Sequence, residues 1–296
     1  MRRTSWSGML ACLLTSWMCQ FGSAASAAEP RPCPDDGVVA NGVYANPYFD
    51  LSYPLPSGWT RDVDGAAPSA SGYYVLAAAK PAGALTGTVL IAAQDNFFAA
   101  VALEDVRTAA RDFSQSIAKV SGMTIDRPPA EVVIANRAFT RVDFSGVGLF
   151  RSTFFTSNRC HLVSFNFTAK SPELLATLVS SLDRIGGARD GEAAMPDPGC
   201  VRDQAAPQNV LTKVDPAGSD PKFMPIPVRL VIGADGAVKH VHVIHATAQQ
   251  RSSIESALAR WTFKPRKGDG GAGEVETGLL IEFTPSGVAY PSVSHR

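Results

Sequence analysis

The sequence predicts an α+β protein in two units: an N-terminal antiparallel sheet sandwiched by helices, and a small C-terminal β-β-α-β domain. Three observations carry this reading. Strand-period segments, a helical stripe, more strands and a closing helix follow one another between residues 44 and 185. A shorter pattern of hairpin, helix and strand occupies 226 to 283. Between them, from Gly186 to Pro227, the composition shifts to Gly, Pro, Ala and Asp without an apolar period. The divisions are 1–28 for a leader, 29–185 for the first domain, 186–212 for a linker, 213–285 for the second domain and 286–296 for a tail.

Arg2 and Arg3 open the chain, a short apolar stretch runs from Met9 to Phe21, and small residues follow from Ser23 to Ala28. That is the pattern of a cleaved secretory signal peptide, and it predicts a periplasmic protein. Thr15, Ser16 and Gln20 interrupt the apolar stretch, which falls short of the ~20 residues a membrane-spanning helix needs, so no stable transmembrane anchor is expected. Lipidation at Cys12, after Leu10 and Ala11, is the competing reading; cleavage there leaves almost no apolar region after Arg3. Loss of Arg2 and Arg3 takes the 27 basic residues to 25 against 27 acidic ones. So neutral a chain has no basic excess for phosphates, which argues against nucleic acid or an anionic membrane as the main partner. With 45% hydrophobic residues it can bury real cores.

In the first domain, Phe49, Leu51, Tyr53 and Leu55 alternate with polar or small residues, and Pro56 to Gly58 close the strand, leaving Trp59 near a sheet edge. Apolar runs at 73–79 and 88–93 read as antiparallel neighbours across a Pro/Gly loop. Leu103, Val106, Ala110, Phe113, Ile117 and Val120 then step by three and four as a helix that Gly122 ends. A meander follows over 131–134, 139–144, 149–156 and 160–168, with Asn136-Arg137 and Asn158-Arg159 as turns. Ser171 caps a second helix with Pro172 at its first position and Leu175, Leu178, Leu182 and Ile185 as its buried stripe. This order, with the opening phrase from Tyr48 to Trp59, resembles the PsbP-like fold, whose members are mostly binding and assembly-assisting modules. The resemblance implies that role and transfers no site residues.

Three cysteines survive processing, Cys33, Cys160 and Cys200, and allow three alternative single bridges. Cys33 and Cys200 lie in irregular segments, so their pairing is the first choice. Cys160 is read at the start of a strand, with His161 on the opposite face, which rules out a thiol-imidazole dyad between them.

In the second domain Val228, Leu230 and Ile232 alternate, Asp235-Gly236 supplies a two-residue hairpin turn, and Val238, Val241 and Val243 return. Ile254, Ala257, Leu258 and Trp261 fall at helical spacing, Pro265 stops the helix, and Leu279, Ile281 and Phe283 share one face of a last strand. The hairpin Val231 to Val238, the helix end Ala257 to Trp261, the phrase from Trp261 through Phe263 to Pro265 and the closing strand Gly278 to Phe283 resemble the TonB C-terminal domain family. Such a three-stranded sheet with one helix has a single buried face, which Trp261 and Phe263 fill. The resemblance implies partner binding by strand addition at an edge, here Glu274 to Phe283, with Val275, Glu276, Thr277, Gly278, Leu279, Leu280 and Ile281 at its centre. An edge merely protected by Glu276 and Glu282 is the plainer alternative. The chain departs from transducers in lacking a retained membrane helix and a long Pro-rich span, and in its shortened stretch from Lys213 to Pro227.

His240 and His242 share one face of a strand, opposite Val241 and Val243, and so are expected to face solvent; with no cysteine or carboxylate evident nearby they are weak metal candidates. The sequence holds no nucleophile elbow, zinc-protease helix motif, phosphate loop or dinucleotide fingerprint, so no catalytic residue and no cofactor is expected. The leading expectation is a non-catalytic periplasmic protein that binds envelope proteins or extended peptides, outer-membrane receptors among them. An accessory component of TonB-dependent transport is the runner-up, and a hydrolase with a site assembled across the fold is the third.

Overall fold

The computed structural model describes residues 31–62, 66–99, 105–188, 198–218, 224–265 and 273–292. The leader read at 1–28 lies outside these residues. Among them no helix is long and apolar enough to cross a membrane.

The first 150 described residues make two antiparallel sheets. A small one orders β1 (Val38–Ala40), β2 (Val43–Asn46) and β3 (Leu51–Pro54). The large one contains β4 (Trp59–Arg61), β5 (Tyr73–Pro81), β6 (Gly87–Asp95), β7 (Met123–Ile134), β8 (Arg137–Gly146), β9 (Leu149–Asn158) and β10 (His161–Ala169), in the order β4-β5-β6-β10-β9-β8-β7. Three tight turns fix the meander, each with positive φ at both central residues: Ala135 and Asn136, Val147 and Gly148, Arg159 and Cys160. That twist matches the flanking strands. Two of these turns lie one residue from the expected positions, and Cys160 sits inside its turn, because the strands run to their last pairable residue.

Helix α1 (Val106–Ala118) starts at Asp105, whose carboxylate accepts from the Thr108 amide at 2.8 Å. Helix α2 (Pro172–Ser180) starts at Ser171, whose hydroxyl accepts from the Leu174 amide at 3.2 Å. Successive residues of β9 and β10 send their side chains to opposite faces, so Phe155 and Leu162 join Ala110, Val142 and Phe144 under α1, while Phe154, Phe165 and Phe167 pack with Leu178 and Leu182 under α2. Phe154, Phe165 and Phe167 are each at most 1% exposed, worth about 1.5–3 kcal/mol apiece by burial.

The C-terminal sheet orders β11 (Gly199–Cys200), β16 (Val275–Thr284), β13 (Ile226–Ile232) and β14 (Val238–Val243); β12 (Val210–Thr212) pairs separately with β15 (Thr262–Phe263), and β17 (Gly287–Ala289) pairs with the end of β16. Helix α3 (Ala248–Leu258) lies over this sheet behind a Thr247/Gln250 capping box. The span read as a linker therefore supplies β11 and β12, and the span read as a tail supplies β17. Short strands of two or three residues leave no periodic signal in a Gly- and Pro-rich segment, which is why composition reads them as loop.

The β13–β14 turn is a three-residue loop, not the expected two. Gly236 donates to Gly233 O at 2.9 Å and Gly233 donates to Ala237 O at 2.8 Å. Gly236 holds φ +81°, and a Cβ there would meet the Phe263 carbonyl, whose residue's amide donates to Gly236 O at 2.8 Å. Asp235 stabilises the turn by accepting from the Ala237 amide at 3.0 Å and from Lys239 at 2.8 Å. Trp261 lies beyond α3, which ends at Leu258; its indole donates to Val214 O at 2.8 Å and its ring packs on Phe263 and Tyr290 in the core, while Pro265 is exposed.

Candidate functional site

The expected edge strand is only partly open. β13 pairs with β16 from Val275 to Ile281 on one flank. The other flank is taken at the start by β11, where Gly199 and Val201 donate to the carbonyls of Glu274 and Glu276 at 2.9 Å each. At the far end β17 pairs with Glu282 to Thr284. The strand-addition edge drawn from Glu274 to Phe283 is corrected on this point: the chain's own segments complete both ends. Backbone groups alternate sides along a strand, so Gly278 and Leu280 point theirs to the flank of Glu274 and Glu276, and no described strand pairs with them there.

The sheet is also buried on both faces, where one was expected. Val275, Leu279 and Ile281 enter the α3 core with Trp261 and Phe263, and Thr277, fully buried, donates from its hydroxyl to Arg202 O at 3.2 Å. Residues of opposite parity face the N-terminal domain: Leu280 and Ile244 join its aromatic core, and Gly278 lies under Phe97 and Phe98.

The polar residues on that face form a cluster across the domain boundary. Arg229 donates to Asp95 of β6 at 2.6 Å and also to Glu276. Glu276 further accepts from Arg159 at 3.1 Å and from the Tyr48 hydroxyl at 3.1 Å, and Arg159 stacks on the Tyr48 ring at 4.0 Å. Glu276, 2% exposed, is thus an internal counter-ion and not a solvent-facing guard of the edge. Burial pushes the Asp95 carboxyl above the usual range while Arg229 pulls it back; burial also opposes the Arg229 charge, yet Asp95, Tyr48 and Glu276 hold the guanidinium protonated. Beside the cluster, His161 donates from Nδ1 to Arg159 O at 2.6 Å, and burial holds its imidazole neutral, well below its ordinary pKa.

A disulfide joins Cys160 to Cys200, and Cys33 carries a free thiol, which corrects the expected Cys33–Cys200 pair. The reason lies in β11, whose parallel pairing with β16 delivers Cys200 to the β9–β10 turn that holds Cys160. Cys33 is held instead near β14, where the face bearing His240 and His242 is covered by the arm at 31–36 and not open to solvent: His242 is 6% exposed.

Where β11 and β17 leave β16 uncovered, a cavity of about 560 Å³ opens. Phe97, Ala205, Val210, Trp261, Leu279 and Tyr290 give it a mostly apolar wall, which Gly278 joins, and Arg202, Asp203 and Lys213 are its charged groups. Phe97, Ala205, Val210 and Tyr290 are among the lining residues that the sequence did not single out, since a wall assembled from five separate segments has no local pattern. A concave apolar site with few polar groups suits a hydrophobic side chain or small ligand.

No protein-family model matches the chain. No curated protein matches it. Among solved structures it is similar to the solution structure of a cyanobacterial PsbP (CyanoP) from Synechocystis sp. PCC 6803, at 13% identity over 51% of this chain and 95% of that one, with a TM-score of 0.36. It is also similar to a protein from Bacteroides thetaiotaomicron VPI-5482, at 15% identity over 51% of this chain and 50% of that one, with a TM-score of 0.30. The architecture above rests on the strand pairings and cores themselves.

Proposed function

We propose that the chain is an exported, non-catalytic binding protein of the bacterial envelope that takes an extended segment of a protein partner at the Gly278–Leu280 window of β16 and seats an apolar side chain in the adjoining cavity. The observation that carries this reading is the junction of strand backbone that no described strand pairs with and the apolar cavity between β11 and β17. The signal-like pattern at 1–28 supports export. The resemblance of residues 226 to 283 to the TonB C-terminal domain, with its hairpin, helix and strand, supports recognition through a strand edge. Two outward-facing residues offer at most four backbone hydrogen bonds, about 0.5–1.5 kcal/mol each. One buried side chain adds about 1.5–3 kcal/mol. Against the cost of association this predicts micromolar or weaker binding, fit for an assembly-assisting or accessory role.

The test is site-specific photocrosslinking in intact envelopes from Leu211, which lines the cavity and is 60% exposed, with Val147, 84% exposed in the β8–β9 turn, as the control. A discrete adduct to one envelope protein from Leu211 and not from Val147 supports the reading; a TonB-dependent receptor as that protein moves it to the transport-accessory version. Equal labelling from both positions, or none from Leu211, sinks it.

A further inference from the structure

The arm at 31–36 and strand β14 bring the metal-ligating side chains of Cys33, Asp35 and His242 together, with His240 in contact with Cys33. In the arm, the Asp36 amide donates to Cys33 O at 3.1 Å with Pro34 at the second position, a tight turn. The Cys33 amide donates to the Asp36 carboxylate at 2.6 Å, so that Asp36 is engaged within the turn while Asp35 faces β14. On β14 the two-residue repeat puts His240 and His242 on the face toward the arm. Cys33 Sγ lies 3.5 Å from His240 Nε2, and Asp35 Oδ1 lies 3.7 Å from His242 Nε2. The donor atoms of Cys33, Asp35 and His242 all fall within 4.8 Å of one another.

We propose that Cys33, Asp35 and His242, with His240 as fourth donor, bind one divalent transition-metal ion, zinc by the character of the donors, and that this ion fastens the N-terminal arm to the C-terminal sheet.

Three observations support the site. Tetrahedral zinc, with Zn–S near 2.3 Å and Zn–N near 2.0–2.1 Å, sets sulfur and nitrogen ligands about 3.6 Å apart and nitrogen and oxygen ligands about 3.4 Å apart. The Cys33–His240 spacing already has the first value, and the Asp35–His242 spacing needs a few tenths of an ångström of closure. Second, the buried His242 Nε2 lies 3.5 Å from Tyr74 Oη and 3.7 Å from Asp35 Oδ1, both longer than a well-formed hydrogen bond, and a cation would satisfy that nitrogen. Third, a thiolate and one carboxylate neutralise a divalent ion, while the neighbouring Arg229 charge is already matched by Asp95 and Glu276. One thiolate, two imidazoles and one carboxylate suit a borderline cation and not magnesium or calcium. Asp35, 45% exposed at its side chain, leaves an approach from solvent.

The test uses the purified protein stripped with chelator and titrated calorimetrically with zinc. One equivalent is expected, with affinity at least tenfold weaker in Cys33→Ser, His242→Gln and Asp35→Asn, and unchanged in His245→Gln, since the Nδ1 of His245, three residues beyond His242, contacts Pro68 O instead. Asp35→Asn guards against misfolding because it changes an exposed group. Cobalt as a spectroscopic probe is expected to give a thiolate-to-metal charge-transfer band that Cys33→Ser lacks, and zinc is expected to protect Cys33 from alkylation. No zinc uptake, uptake unaffected by Cys33→Ser, or bound cobalt without the thiolate band overturns the site.

Discussion

Arg229 of β13 donates to Asp95 of β6 at 2.6 Å, so a side chain of the C-terminal sheet is anchored inside the N-terminal one where water does not reach. Arg229→Ala leaves Asp95 and Glu276 buried without their common counter-ion. Breaking a buried pair in this way costs about 3–5 kcal/mol. Urea denaturation is expected to show that loss with both domains unfolding earlier, since the cluster spans their boundary. A loss below about 1 kcal/mol would show the arginine to be replaceable by water.

The same residues show what the sequence could and could not reveal. Alternation predicted the strands of the hairpin, the buried stripe of α2 and the α3 core around Leu230, Phe263 and Ile281, because apolar periodicity reports burial directly. Arg229, Glu276 and His242 sit at the polar positions of that alternation. Polar in sequence reads as solvent-facing, whereas here it means a polar interface whose partners, Asp95, Arg159 and Tyr48, are 117 to 228 residues away in sequence. Long-range partners leave no local pattern. For the same reason Cys33 and Asp35, more than 200 residues from His240 and His242, could not be joined to them by spacing.

His161 makes stability depend on pH. Burial, then the Arg229 charge, holds its folded pKa well below the ordinary value. An unfolded histidine takes up its proton near pH 6.5, so between there and the depressed folded pKa protons favour the unfolded chain. Stability contributed by the neutral imidazole is full above about pH 6.5 and falls as pH drops, by up to about 1.4 kcal/mol per unit. Comparing urea midpoints at pH 6 and pH 5, wild type is expected to lose about 1 kcal/mol more than His161→Gln. Equal losses would place the proton uptake elsewhere.

Gly278 permits the docking of one domain on the other. A Cβ at this position would lie 2.6 Å from Phe97 Cβ, an atom fixed to the backbone that cannot swing away, and 3.0 Å from the tip of the Phe98 ring. Gly278→Val is therefore expected to destabilise by about 1–3 kcal/mol through overpacking, read as a lower melting temperature. Gly83→Val, where a Cβ meets nothing, is the control expected to leave it nearly unchanged.

The Cys160–Cys200 bridge closes a span of 40 residues and holds β11 against the start of β16. Constraining the unfolded chain to that loop is worth about 2–4 kcal/mol. β11 pairs at only two positions, too few to hold it by hydrogen bonds of about 1 kcal/mol each once the covalent tie is cut. Cys200→Ser is thus expected to act twice: global stability falls by those kcal/mol, and the amides of Gly199 and Val201, which donate to Glu274 and Glu276, exchange with solvent faster than the global loss alone explains. Hydrogen exchange read peptide by peptide separates the two effects, with the β13 amides reporting global opening. If Gly199 and Val201 stay as protected as β13, the side chains around Thr277 and Arg202 hold the segment without the bridge, and β11 is not the removable cover of the strand edge that its two-residue ladder indicates.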